Sequence, residues 1–328
     1  MRAPAFWYRK AGVRAAVLAP LAAVYTAATH RRLRQGVWER MPVPVICVGN
    51  INAGGTGKTP TVIALLEILG DMGVAAHVVS RGHGGSLEGP VRVDERAHRA
   101  DQVGDEPLLI SAFGPCWVAK DRAAGAKAAV DAGADIILLD DGLQNPSLHK
   151  DFEIAVVDAA VGFGNGRVIP AGPLREPLSD GLARAEVVLS IGDGAAQAGF
   201  IIAHPLWEAA LEPLETGMDW SGRYLAFAGI GRPGKFFATL KSLGADIVAM
   251  HEFGDHEPYT DVVLQRLRAE ALAKNAQLVS TEKDIVRMPL DFRREVVALP
   301  VRLKFSDPDQ VRAKLTEIIA AVDRTNRQ

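Results

Sequence analysis

Gly54-Gly55-Thr56-Gly57-Lys58-Thr59 has the residue types of a phosphate-binding loop. Glycines let backbone N–H groups curl around a phosphate, and a following helix adds positive partial charge at its first turn. Lys58 would reach the outer phosphates of a nucleotide, and the Thr59 hydroxyl would take a magnesium ion. The candidate nucleotide contacts are Asn52, Ala53, Gly54, Gly55, Thr56, Gly57, Lys58, Thr59 and Pro60. The spacing is irregular, because Gly-x-x-x-x-Gly-Lys-Thr asks for glycine where this chain has Asn52. A glycine-rich turn that binds nothing is the competing reading. The apolar run Val43-Pro44-Val45-Ile46-Cys47-Val48 before the loop and the helix-like Pro60 to Leu69 after it favour the binding loop.

Five further groups could act with it. Ile136-Ile137-Leu138-Leu139-Asp140-Asp141-Gly142 is an apolar strand ending in paired acids. Two carboxylates there repel unless a cation lies near, and a phosphate-loop protein keeps its acidic magnesium partner in that place. Gly104-Asp105-Glu106-Pro107 is a turn entering a helix, where an acid also serves as a simple cap. Phe253-Gly254-Asp255-His256 is a turn with one histidine, and Ser80-Arg81-Gly82-His83-Gly84-Gly85 is a second glycine-rich loop after a strand. The rigid Ile169-Pro170-Ala171-Gly172-Pro173-Leu174-Arg175-Glu176-Pro177 presents Arg175, a residue suited to a bidentate phosphate grip.

The elements that must hold these residues alternate. Apolar runs at Val45–Val48, Ala75–Val79, Cys116–Val118, Ile136–Leu139, Ile154–Val157 and Val187–Ile191 are separated by helical stretches such as Thr59–Gly70 and Asp121–Ala132. Runs without polar alternation imply a parallel sheet covered on both faces, with ligands at the carboxyl ends of its strands. The expected fold is therefore a P-loop NTPase-like, doubly wound α/β domain over 41–215. A second, smaller α/β unit over 216–328 follows, with strands at Tyr224–Ala228, Ile247–Met250, Leu278–Ser280 and Val296–Val301. The cleft between two such units is a usual place for a substrate.

Residues 1–40 form a third segment. Ala15 to Thr29 carries no formal charge, with Arg9, Lys10 and Arg14 before it and Arg31, Arg32 and Arg34 after it. The uncharged run is 15 residues, short of the roughly 20 that span a bilayer, and it contains Pro20. Such a segment fits a helix lying on the membrane surface; a cleaved leader or a buried helix are the alternatives. The net charge of −2 gives no basic field for nucleic acid. Cys47 and Cys116 lie in apolar runs without metal-ligand spacing and read as reduced core residues.

Taken together, the ordered set resembles the tetraacyldisaccharide 4'-kinase (lipid A 4'-kinase) family. The resemblance covers most of the chain. It rests on Val48-Gly49-Asn50 leading into Gly54 to Pro60, Ser80-Arg81-Gly82, Gly104-Asp105-Glu106-Pro107 and Leu139-Asp140-Asp141-Gly142. Pro170-Ala171-Gly172-Pro173-Leu174-Arg175-Glu176, Phe227-Ala228-Gly229-Ile230-Gly231, Asp255-His256 and Ser280-Thr281-Glu282-Lys283-Asp284 complete it. The irregular spacing at Asn52 also belongs to that family. The chain departs from the pattern at His83, Leu143 and Asn145.

The resemblance implies transfer of the ATP γ-phosphate to the 4'-hydroxyl of a tetraacyl glucosamine disaccharide 1-phosphate. The setting would be the cytoplasmic face of a bacterial inner membrane, with no nucleic-acid partner and a monomeric chain. Asp105 would be the base, paired with His256 across the closing units. Lys58 and Arg175 would hold phosphate, the latter either the γ-group or the lipid's own 1-phosphate. Thr59, Asp140, Asp141 and Glu106 are the candidates for Mg2+, with Asp141 also counted in the catalytic set. Two rivals stand: a membrane-associated regulatory or assembly NTPase, and a binding module with a degenerate nucleotide site. Against the first, Val187–Ile191 is followed by Gly192-Asp193 and not by the Asn-Lys-x-Asp guanine reader.

Overall fold

The computed structural model describes residues 3–192 and 204–326; Asp193 lies outside the described residues. The strands are β1 (Val45–Gly49), β2 (Ala76–Ser80), β3 (Val91–Arg92), β4 (Cys116–Val118), β5 (Ile136–Asp140), β6 (Phe152–Asp158) and β7 (Val187–Ile191). They continue with β8 (Leu206–Pro213), β9 (Arg223–Ala228), β10 (Asp246–Glu252), β11 (Gln277–Thr281), β12 (Val296–Leu299) and β13 (Val301–Phe305). The helices are α1 (Val13–Arg34), α2 (Lys58–Asp71), α3 (Ala100–Val103), α4 (Asp105–Ile110), α5 (Arg122–Asp131) and α6 (Leu178–Arg184). After them come α7 (Pro233–Ser242), α8 (Asp261–Ala273), α9 (Glu282–Ile285), α10 (Leu290–Arg293) and α11 (Pro308–Asn326).

Among the described residues the larger sheet runs β13-β8-β7-β6-β1-β5-β2-β4-β3, and the smaller runs β10-β9-β11-β12. Pairs from β8 to β4 are parallel, and only the edge pairs β13–β8 and β3–β4 are antiparallel. Alternate residues of one strand feed opposite cores. Ile46 and Val48 join Val62, Leu65 and Leu69 of α2 on one face, while Val45 and Cys47 join Ala126 of α5 and Leu182 of α6 on the other. Both faces are covered by helices, as the uninterrupted apolar runs require. The cysteines are free and buried, and burial pushes the Cys47 thiol up to about 12, so it stays protonated.

The expected strand Val296–Val301 is two strands in two sheets. β12 stays in the small sheet, whereas β13 pairs antiparallel with β8, so the chain from Val301 onward returns to the larger sheet. Pro300 lies at the crossing; it has no N–H for a ladder and its carbonyl accepts from Leu214 N at 2.9 Å. Val311, Leu315 and Ile318 of α11 then pack in the core over α2. The second unit is thus an insertion from about β9 to β12, and not all of 216–328.

Three placements prepare the site. In the parallel register Val48 lies opposite Asp140, so the acid pair emerges beside the glycine loop that follows β1. Gly104, at φ 91°, lets α4 begin close under the β2 loop; a Cβ there would lie 2.7 Å from His83 O. Finally, α9 and the loop after β10 in the small unit face α4 of the large one.

Candidate active site

The loop after β1 is bent by its own side chains. Buried Asn50 donates from Nδ2 to Gly54 O at 3.0 Å and to Thr56 Oγ1 at 3.1 Å. Gly57 has φ 97°, and a Cβ there would lie 2.5 Å from Ile191 Cδ1, so both backbone and space demand glycine. No side chain caps α2 at Gly57, leaving its first N–H groups directed at the loop. Asn52 and Ala53 behave differently from the rest of the expected contacts. Asn52 Nδ2 donates to Gly162 O at 2.8 Å, and Ala53 N donates to Pro173 O at 2.7 Å. They tie the loop to the proline-rich segment, so these polar groups are spent on protein and not turned toward a phosphate.

That segment brings Arg175 to the acids. Arg175 Nη1 lies 2.9 and 3.0 Å from the two oxygens of Asp141, and Lys58 Nζ lies 3.7 Å from Asp141 Oδ2. The neighbouring Glu176 carboxylate is fully buried and receives Arg184 at 2.7 Å and Gln144 Nε2 at 2.8 Å. Gln144 also donates to Asn50 O at 3.1 Å, which links all three loops. Asp141 has φ 56°, a costly conformation for a non-glycine residue. Buried Arg122 holds that turn, donating from Nη2 to Asp140 O at 3.2 Å and to Asp141 O at 2.6 Å. Nothing in the sequence pattern singled out Arg122, because its partners are main-chain carbonyls.

Electrostatics separates the two acids. Burial and then the Asp141 charge push Asp140 up to about 6; its Oδ2 accepts from Ser80 Oγ at 3.1 Å. Burial would raise Asp141 as well, but Lys58 and then Arg175 outweigh it and hold the carboxyl below its usual range. Burial holds the Lys58 ammonium below its ordinary value against the pull of Asp141. Such divergence of adjacent groups marks functional sites more often than structural ones.

Asp105 and His256 meet across the two units. His256 Nδ1 lies 2.9 Å from Asp105 Oδ2, although they are 151 residues apart. His256 has φ 59°, the second site residue held in the left-handed region. Its imidazole is raised by the Asp105 hydrogen bond, partly opposed by burial. Arg287 Nε lies 3.5 Å from Asp105 Oδ2. Glu106 is engaged by Lys283 Nζ at 2.9 Å; burial would raise its carboxyl, but Lys283 outweighs that and lowers it. Glu106 also acts electrostatically on Lys58 and Asp140, which sets the dyad beside the phosphate loop. Lys283 and Arg287 were not assigned roles from sequence: the first lay inside a noted motif, the second outside any.

The departures from the family pattern are locally accommodated. Leu143 is buried against Gly49. Asn145 Oδ1 accepts from Ser147 N at 3.0 Å and so caps a turn. The His83 ring lies edge-on to His256 with centroids 6.1 Å apart.

Among the described residues, no group of three or more His, Cys, Asp or Glu side chains could hold a metal. An ion that takes one or two carboxylates and completes its shell with phosphate and water needs no such group. Magnesium is such an ion. The buried Asp140–Asp141 pair, with the Asp140 carboxyl pushed up to about 6 by burial and then by the Asp141 charge, offers one or two such carboxylates.

The chain is similar to known proteins over nearly its whole length. The family model described as tetraacyldisaccharide-1-P 4'-kinase matches residues 14–320. A tetraacyldisaccharide 4'-kinase of Dinoroseobacter shibae is 57% identical, with 99% of each chain covered. One from Jannaschia sp. is 58% identical over 94% of this chain and 96% of its own. The solved LpxK from Aquifex aeolicus in complex with ATP superposes with a TM-score of 0.77 at 25% identity, over 93% of this chain and 99% of that one.

Proposed function

The chain belongs to the tetraacyldisaccharide-1-P 4'-kinase family, and from that premise we propose how its residues move a phosphoryl group. The reaction is ATP-dependent transfer of the γ-phosphate to the 4'-hydroxyl of a tetraacyldisaccharide 1-phosphate, a step in making lipid A. The observation that carries the residue assignment is the 2.9 Å contact of Asp105 with His256 beside Lys58 and the acid pair. Phosphoryl transfer asks mainly for positioning and charge stabilisation. Asp105 takes the hydroxyl proton as the sugar oxygen bonds to the γ-phosphorus. The bond to the β–γ bridging oxygen breaks, and ADP leaves with its electron pair. His256 orients the Asp105 carboxylate. Lys58 and the free N–H groups of α2 hold the β- and γ-phosphates. Arg175 grips either the γ-phosphate or the lipid's 1-phosphate, releasing Asp141 as it does so.

Thr59, Asp140 and Asp141 are the residues to hold Mg2+; Glu106 is committed to Lys283. When bound, the ion neutralises phosphate charge. Below about 6, Asp140 is protonated in the metal-free protein, and binding must displace that proton. The affinity for Mg2+ is therefore expected to fall on acidification below this value, approaching tenfold per pH unit. Calorimetric titration of the parent against Asp140→Asn checks this: the parent should show the slope and the variant should lack it. Equal pH dependence in both would remove Asp140 from the ion.

Turnover assayed with and without the disaccharide lipid separates the kinase from its rivals. Lipid-dependent turnover supports the kinase, lipid-independent hydrolysis a switch NTPase, and no turnover a binding module.

The lipid acceptor gives α1 a purpose. Val13, Val17, Leu21 and Val24 are 81%, 72%, 58% and 68% exposed, on one stripe at spacings of four, four and three. Ala15, Ala22 and Thr29 are buried on the opposite side. His30 Nε2 to Asp180 Oδ2 at 2.6 Å and Trp7 Nε1 to Pro170 O at 3.0 Å fasten the segment to the large unit. Among the described residues, no helix is long and apolar enough to cross a membrane. The stripe, flanked by Arg9, Lys10 and Arg14 and by Arg31, Arg32 and Arg34, suits a helix resting on an anionic membrane at the cytoplasmic face. The double change Val17→Asp, Leu21→Asp is expected to lower sedimentation with anionic phospholipid vesicles by about tenfold or more. Activity on detergent-dispersed lipid should stay near the parent value. Unchanged vesicle binding would contradict the anchor.

A further inference from the structure

Three consecutive side chains of the Thr281–Asp284 turn, which the proposed chemistry leaves unused, point in three directions. Asp284 points into its own unit. It is fully buried and accepts from Gly229 N at 2.9 Å, Tyr259 OH at 2.8 Å and Thr281 Oγ1 at 2.6 Å, besides pairing with Arg287. Glu282 points to the larger sheet, where it takes Arg302 of β13 at 2.7 and 3.2 Å. Lys283 points to α4: its Nζ lies 2.9 Å from Glu106 Oε1, 3.5 Å from Asp255 Oδ1 and 3.4 Å from His256 Nε2. The turn is thus fixed by Asp284 and reaches the large unit through its two other charged residues.

We infer that Lys283 is a positioning residue for the phosphoryl transfer: its ammonium ties Glu106 of α4 to Asp255 and His256 of the second unit and thereby sets the Asp105–His256 contact. The inference rests on the reading of Asp105 as the base. Three carboxylates, Asp105, Glu106 and Asp255, crowd one imidazole, and Asp255 Oδ1 is buried without a hydrogen bond. Arg287 serves Asp105, whereas Lys283 lies between Glu106 of the large unit and Asp255 of the second; without it those two carboxylates would repel across the contact. The Lys283 ammonium donates to Glu106 Oε1 and places its positive charge 3.5 Å from Asp255 Oδ1. His256, held at φ 59°, needs neighbours that fix its conformation. A shift of about 1 Å between reacting groups costs on the order of 100-fold in rate, so the tie matters to turnover although Lys283 touches no substrate.

Steady-state kinetics on the full chain with ATP and the disaccharide lipid test this. Lys283→Met is expected to lower kcat by about 10- to 100-fold with KM for ATP within about twofold. Lys283→Arg, which keeps the charge, should stay within about fivefold of the parent. Should Lys283→Met fail to fold, Lys283→Gln is read in the same way. Added to Asp105→Ala, Lys283→Met should cost less than about twofold more, because residues acting as one unit are not additive. A parent-like kcat for Lys283→Met beside a crippled Asp105→Ala overturns this inference alone, as does a full multiplicative loss in the double variant. A parent-like Asp105→Ala overturns the base assignment and this inference with it.

Discussion

Asp105→Ala is expected to lower kcat by about 10²- to 10⁴-fold while leaving KM for ATP near the parent value. The Asp105 carboxylate meets His256 at 2.9 Å and Arg287 at 3.5 Å, both outside the glycine loop. Its removal is therefore expected to spare the groups proposed to hold the phosphates and to delete the proposed acceptor for the hydroxyl proton. A base acts on the chemical step, so the loss falls on kcat. His256→Ala should cost less, because Asp105 remains but loses its orienting partner. Measurement is by initial rates at saturating lipid and ATP. A kcat within a few-fold of the parent would remove Asp105 from the chemistry and leave its contact with His256 as a simple tie between units.

Lys58→Ala is expected to lower kcat by about 10²- to 10³-fold, the usual loss when one charge-stabilising donor is deleted. Stability should move the other way or not at all. Burial holds the Lys58 ammonium below its ordinary value. A cation whose folded-state value is depressed costs folding free energy at neutral pH, where it must be charged. Asp141 keeps Arg175 at 2.9 Å when Lys58 is gone, so no carboxylate is left unpaired. Thermal melts beside kinetics separate the two effects. A large drop in Tm accompanying the drop in kcat would mean that Lys58 is structural support.

Much of this was legible in the sequence because it is local. β1, the glycine loop and α2 follow one another, and the end of β5 lies beside them through the Val48–Asp140 register. The strand runs were legible because both faces of a parallel strand are apolar. Leu206–Pro213 was not, since its residues are unevenly buried beside the antiparallel edge strand β13. The sequence around Pro300 reads as one strand, and only the three-dimensional pairing shows it divided between two sheets. The pairing of Asp105 with His256 spans 151 residues, and no spacing rule reaches that far; resemblance to a family suggested it. Arg122 escaped because it bonds to carbonyls, and Asn52 was expected near phosphate although its amide serves Gly162. Lys283 is visible as a motif residue, but its task depends on which unit its ammonium faces.

The site joining Lys58, Asp140–Asp141, Asp105 and His256 is proposed to phosphorylate a lipid disaccharide at one hydroxyl. The most direct measurement supplies ATP labelled at the γ-phosphate and a defined tetraacyldisaccharide 1-phosphate, and then assigns the position of label in the product. The account predicts labelled lipid carrying phosphate at the 4'-oxygen, formed by the parent and nearly abolished in Asp105→Ala. Label released only as inorganic phosphate, or carried at another position of the sugar, would contradict it.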